Sequence, residues 1–307
     1  MKKMKTLFVL LLLTLNFNAF ADSSDRFLEN VKKGWVDDAF AVMEEGQRLN
    51  YRRVDEDGMT ALHYAILFGL EELALAILKD HPFDDDGVDV NYKNGEYLLL
   101  ALGQQKWSLA DDLLFFKGAS VKTRHLEKLL WSCSANSASD YSQGTSVACS
   151  SHSNLSSEAK AIARELIVDH GADVNGTTEY GKILLFEAAE LDNLDFITIL
   201  ADNGANLNVK NADGNMLLYI LSTTPAKLPI LKYFANHSRV RKDLRKDDGV
   251  TSLMIAAWLG LLENVKILVQ SGAKVNLQMP DGRTALQLAQ AQGKTQVVDY
   301  LKSVGGY

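Results

Sequence analysis

Proline and cysteine are scarce in this chain. Four prolines and two cysteines stand among 307 residues. No Pro- or Gly-rich linker interrupts the sequence, which points to one continuous folded body. Two cysteines cannot build a disulfide-dense scaffold, and they fall short of a four-ligand zinc site. A surplus of positive charge is also missing: the formal net charge is −7. That balance argues against nucleic acid, which rewards a basic face. Past the first residues, no apolar run reaches membrane-spanning length. What is present is 47% hydrophobic and 23% charged. Such a composition excludes a disordered chain and supplies a sizeable core or an extended stack of small units.

The N-terminus reads differently from the rest. Lys2, Lys3 and Lys5 precede an apolar run from Leu7 to Leu15, followed by Ala19, Phe20, Ala21 and Asp22. A basic start, a short apolar stretch and a small-x-small site describe a secretory signal peptide over 1–21, cut after Ala21. The alternative is a membrane anchor, for which the run is short. No lipobox cysteine follows it. Losing its three lysines leaves −10 on residues 22–307. Export places Cys133 and Cys149 in a disulfide-permissive compartment. A bridge closing that loop would stabilise by about 3 kcal/mol; two free thiols are the alternative. His152 nearby does not complete a metal site.

The remaining chain repeats itself. A turn with glycine, then threonine or its substitute, then a leucine and a small residue, recurs as Asp55, Gly58, Thr60, Leu62, His63, Ala65; as Asp213, Gly214, Leu218; as Asp248, Gly249, Thr251, Leu253, Ala256, Ala257; and as Asp281, Gly282, Thr284, Leu286, Ala289. A second element, Gly-Ala-x-x-Asn, recurs at Gly171–Asn175, Gly204–Asn208 and Gly272–Asn276. Gly171 to Gly204, Gly181 to Gly214 and Gly249 to Gly282 are each 33 residues apart. Two motifs recurring in phase at that period are the mark of a repeat architecture. Glycine makes the tight turn, threonine caps the first helix, and glycine ends the second.

These residues resemble the ankyrin-repeat family from about residue 25 to the C-terminus. The resemblance implies an all-α repeat solenoid of helix-turn-helix units with β-turn or hairpin fingers. One unit cannot bury its apolar face alone; stacking buries it. A degenerate helical cap over 25–54 is followed by about seven units, at 55–91, 92–122, 123–177, 178–210, 211–246, 247–278 and 279–307. The third is expected to be interrupted by an insertion near 133–157. The fifth departs from the pattern at Thr223, Thr224 and Pro225. Gln287, Gln290, Gln292 and Gln296 suit a polar C-terminal cap.

No catalytic constellation is present, so the chain is read as a non-enzyme needing no cofactor or metal. His63 sits where the family's turn network uses a histidine, a structural role. His125 and His170 are scattered. Gly144 and Ser146 lack the second glycine of a nucleophile elbow. Asp84, Asp85, Asp86 and Asp89 miss the spacing of a calcium loop, which leaves a solvated acidic loop.

The resemblance instead implies a binding face, made of turn tips and the ends of first helices. Carried over, the helix-end pairs are Leu67 with Phe68, Gln104 with Gln105, Glu190 with Leu191, Trp258 with Leu259, and Ala291 with Gln292. Turn positions include Glu56, Asp57, Met59, Lys93, Glu96, Tyr180, Lys182, Asn215 and Arg283. Large apolar residues there suggest a protein interface; inward packing is the alternative. The loop Arg239–Lys246, with Arg245, is either a contact for an acidic patch or a solvated loop. The partner is thus expected to be another protein, with no nucleic acid, no stable membrane insertion after cleavage, and a monomer when free. Signal, degenerate repeats and insertion together resemble bacterial periplasmic ankyrin-type immunity proteins that bind secreted phospholipase effectors. The alternative is a periplasmic accessory protein supporting another enzyme, such as a catalase.

Overall fold

In a computed structural model, the described residues are 23–45, 48–80, 88–115, 121–132 and 155–307. The predicted signal segment, the acidic loop at 84–86 and both cysteines lie outside them. The chain forms two compact units. One comprises residues 1–147 with 157–172, the other 148–156 with 173–307.

The first unit opens with α1 (23–32) and α2 (Val36–Glu44). Three helix pairs follow: α3 (Ala61–Leu67) with α4 (Glu71–Lys79), α5 (Glu96–Gly103) with α6 (Trp107–Phe115), and α7 (Thr123–Ser132) with α8 (Ser157–Val168). First helices pack on first helices, α3 on α5 and α5 on α7. Second helices pack on second helices, α4 on α6 and α6 on α8. α7 packs on α8 although residues 133–156 separate them in sequence.

The second unit holds α9 (Leu184–Glu190) with α10 (Leu194–Asp202), α11 (Leu217–Ser222) with α12 (Leu228–Asn236), α13 (Ser252–Leu259) with α14 (Leu262–Gln270), and α15 (Ala285–Ala291) with α16 (Thr295–Ser303). α11, α13 and α15 pack in series, as do α12, α14 and α16. This is an all-α repeat solenoid. The hairpin fingers are single antiparallel bridges, Thr177 to Ile183, Lys210 to Met216 and Arg245 to Thr251.

Local chemistry explains these elements. Thr60, Thr251 and Thr284 each accept from a backbone N–H three residues on, closing capping boxes with His63, Met254 and Gln287. Ala65, Ala101, Ala188, Ala256 and Ala289 are fully buried, so the first helices approach closely. The second helices contribute the bulk, among them Leu73, Ile77, Phe196, Phe234, Val265 and Leu301. α13 ends at Gly260, whose φ of +81° suits glycine.

In the second unit, side-chain amides and a carboxylate tie each finger to the next. The Asn206 N–H donates to Asn175 Oδ1 at 2.8 Å, and the Arg241 N–H to Asn208 Oδ1 at 2.7 Å. The Lys274 N–H donates to Asp243 Oδ1 at 2.9 Å, and the Tyr307 N–H to Asn276 Oδ1 at 3.1 Å. The family's recurring Asn therefore satisfies backbone groups in the neighbouring repeat. The fifth repeat's departure resolves into a short 3-10 turn, Pro225–Lys227, after a six-residue α11.

Candidate binding surface

In the first unit, α3 ends by turning its last residues outward. Leu67 is 37% exposed and Phe68, its C-cap, 51%. Phe68 is not isolated: its ring centroid lies 5.8 Å from that of Tyr64, one turn back. Lys32 Nζ sits 5.9 Å from the Tyr64 ring. The sequence reading missed one residue of this kind. Trp35, in the turn between α1 and α2, is 52% exposed, with Lys33 Nζ 4.8 Å from its ring. Its signal was positional, since a degenerate cap still has a turn where the repeats expose theirs.

In the second unit, Trp258 occupies on α13 the place that Glu190 occupies on α9, directly after a buried Ala-Ala pair. It is 42% exposed, and Glu190 is exposed. The two leucines that follow differ from expectation. Leu191 and Leu259 are half-buried, whereas Phe68, at the same motif position of α3, is exposed. Tyr180 stands out at a finger tip. Beside it, Lys182 Nζ bridges Glu190 Oε2 at 2.8 Å and Glu187 Oε2 at 3.2 Å. The hydrogen bonds to Glu190 and then Glu187 raise the lysine's pKa, so this cation is fixed and charged.

The basic loop is largely turned to structure. Arg239 does not face outward as a free cation; its guanidinium caps the end of α10, donating to the carbonyls of Ala201 and Ala205. Arg245 is exposed, yet its Nη1 donates to the Gln278 carbonyl at 2.6 Å in the following finger. Lys242 Nζ reaches the carbonyls of His237 and Val240.

His63 is fully buried and serves the turn network, as its position implies: its Nδ1 accepts from the Thr60 N–H at 3.0 Å. His125 plays the same part for α7, a role its sequence did not advertise because Lys122 replaces the capping threonine. Among the described residues, no group of three or more His, Cys, Asp or Glu is placed to hold a metal ion. Nor is any helix among them long and apolar enough to cross a membrane.

Charge is distributed unevenly. Residues 173–307 hold 14 acidic and 14 basic side chains, so the negative excess of the chain lies entirely on the N-terminal side. Close to Phe68 and Trp35 in sequence, Asp37, Asp38 and Glu72 are exposed and Glu71 is half-buried, but cations stand there too: Lys33 against the Trp35 ring and Lys106 3.7 Å from Glu71.

A family model for ankyrin repeats matches residues 185–279 in three copies. These residues are ankyrin repeats. The chain is 33% identical over 127 residues to mouse ankyrin repeat and SOCS box protein 16, covering 41% of this chain and 27% of that one. It is 25% identical over 299 residues to the E3 ubiquitin-protein ligase KEG of Arabidopsis thaliana, covering 81% of this chain and 17% of the ligase. It is 26% identical over 142 residues to alpha-latrotoxin-Lg1a of Latrodectus geometricus, covering 45% and 10%. The chain thus spans from a tenth to about a quarter of the curated relatives it matches first. What the relatives share with it is the repeat, and the repeat is a protein-binding module.

Proposed function

We propose that this ankyrin-repeat protein is an exported, periplasmic immunity protein that binds and neutralises a secreted lipase or phospholipase toxin without itself catalysing a reaction. The observation that carries the binding role is the pair of half-open aromatics, Phe68 and Trp258, each at the outward end of a first helix. Aromatic side chains left exposed at the ends of helices suit a protein interface, since such residues dominate interface energetics. The periplasmic assignment rests on the basic-apolar-small start of the sequence. The toxin class rests on the resemblance of signal, degenerate repeats and insertion to immunity proteins. The partner's contacting surface is basic, because the N-terminal unit meets it with the chain's whole negative excess.

Two measurements test the reading. The first is deletion in a strain exposed to the secreted lipase of its neighbours: loss of viability, restored by the exported form alone, is expected. Peroxide sensitivity without toxin sensitivity would transfer the assignment to an accessory role. The second is calorimetric titration of the purified partner with Phe68→Ala and Trp258→Ala. Each is expected to weaken binding roughly 30-fold, about 2 kcal/mol, with the far-UV melt almost unmoved. Undiminished affinity in both variants refutes the surface.

A further inference from the structure

The finger at 92–96 is built unlike its neighbours. It carries no capping side chain of its own: α5 starts from Gly95, which makes no side-chain cap bond. Lys93 within it adopts φ +45°, a region that L residues rarely enter. The finger is instead held from both sides by buried histidines. From α3, His63 Nε2 lies 3.3 Å from Glu96 Oε2. From α7, His125 Nε2 lies 3.4 Å from the Gly95 carbonyl.

Both rings are locked in one tautomer. Each Nδ1 accepts a backbone N–H, that of Thr60 at 3.0 Å and that of Lys122 at 2.9 Å, so each Nε2 carries the proton and donates to the finger. Both side chains are fully buried. A second proton on Nδ1 would face a backbone N–H, although at His63 the Thr60 Oγ1, 2.9 Å from Nδ1, can accept it. For His125 only the Lys122 carbonyl, at 3.2 Å, offers relief. The corresponding positions of the second unit are Phe186, Tyr219, Met254 and Gln287, none of which titrates near neutrality.

We propose that the 92–96 finger is an acid-released latch, which opens when His125 takes a proton, while the finger before α13, at 246–250, stays closed. The charges around each ring decide their order. His125 is flanked by Arg124 and Lys122, both of which oppose an imidazolium, and burial dominates, holding its pKa down at about 4. His63 faces Glu96 and Asp55, which favour the charged form, and Lys93, which opposes it; burial still leaves its pKa lowered. A histidine that stays neutral in the closed state and titrates freely in the open state shifts the balance toward opening as pH falls below 6.5. For His125 alone the opening equilibrium rises roughly 20-fold between neutrality and pH 5.

Amide exchange on the full-length protein tests this. The Tyr92, Gly95 and Leu99 amides are hydrogen-bonded within this finger and the start of α5. Their protection, corrected for the intrinsic pH effect, is expected to fall 10- to 30-fold from about pH 7 to pH 5. The amides of Lys246 and Gly249, in the finger before α13, serve as the reference and are expected to hold. His125→Gln, which keeps an acceptor for the Lys122 N–H as Gln287 does for Thr284, is expected to remove most of the fall. Equal loss in the two fingers of the wild type overturns the proposal without any variant. An unchanged fall in folded His125→Gln overturns the assignment to that histidine.

Discussion

Asn264 offers a test of how the second unit keeps Trp258 in place. It is the third residue of α14 and 1% exposed. At that position the other second helices of the unit carry Phe196, Ile230 and Val297, all buried. Asn264 spends its amide on the end of α11: Nδ2 donates to the Ser222 carbonyl at 3.1 Å and the Leu221 carbonyl at 3.3 Å. The Leu221 carbonyl has a second donor, the Thr224 N–H at 3.2 Å. Asn264→Ala therefore strands chiefly the Ser222 carbonyl. A buried acceptor left unpaired costs about 1–3 kcal/mol, and a central figure of ~2 kcal/mol is expected. For a unit of this size that is about 8 °C in melting temperature. Asn264→Leu regains part of that loss, about 1 kcal/mol, through apolar burial and should sit between alanine and wild type. Thermal melts by far-UV circular dichroism decide it. An Asn264→Ala melt within 1 °C of wild type means that the α11 carbonyls find other partners, and the reasoning fails.

Two more outcomes follow from the same geometry. Lys227→Met removes the cation that donates to the Ala189 carbonyl at 2.8 Å, the Glu190 carbonyl at 3.0 Å and Asp192 Oδ1 at 2.8 Å. A partly screened clamp at a helix C-terminus is worth ~1–2 kcal/mol, to be read from the urea midpoint; a shift below about 0.3 kcal/mol would leave the lysine decorative. Partner association should also slow about tenfold from ~50 to ~500 mM salt, because the acidic N-terminal unit steers a basic surface. Salt-independent association rates in stopped flow would remove charge from the account.

Much of the fold was legible because its signals are local. A glycine that must enter positive φ and a threonine that caps three residues on act within one turn. Two such signals in phase at 33 residues leave little room for another architecture. The candidate surface was legible in part for the same reason: Leu67 and Trp258 each stand two residues after a buried alanine of a first helix, Ala65 and Ala256. The failures concern groups whose partners lie one repeat away. Arg239 looked like a free cation because the carbonyls it caps belong to residues 34 and 38 positions earlier. Leu191 and Leu259 looked as open as their neighbours because the sequence gives a position in the motif, whereas exposure depends on which neighbour the side chain meets, as the exposed Phe68 at that same position shows. His125 went unnoticed since Lys122 carries no capping hydroxyl to announce it.

The two units differ in how they secure their fingers, and this difference bears on what each can do. In the second unit the ties are Asn and Asp side chains bonded to backbone, with capping by Met254 and Gln287. The Asn amides, Met254 and Gln287 carry no ionisable group. In the first, the ties at the middle finger come from imidazoles whose Nδ1 atoms accept the Thr60 and Lys122 N–H groups, bonds that require an unprotonated Nδ1. A fold that needed rigidity alone would gain nothing from the second solution, since a buried histidine must give up its solvation in either charge state. The histidine ties make the acidic unit, which also carries Leu67 and Phe68, the unit whose shape answers to pH. Trp258 lies on α13, whose cap is closed by Met254 rather than an imidazole, so acidification should act on a bound partner chiefly through the first unit's contacts.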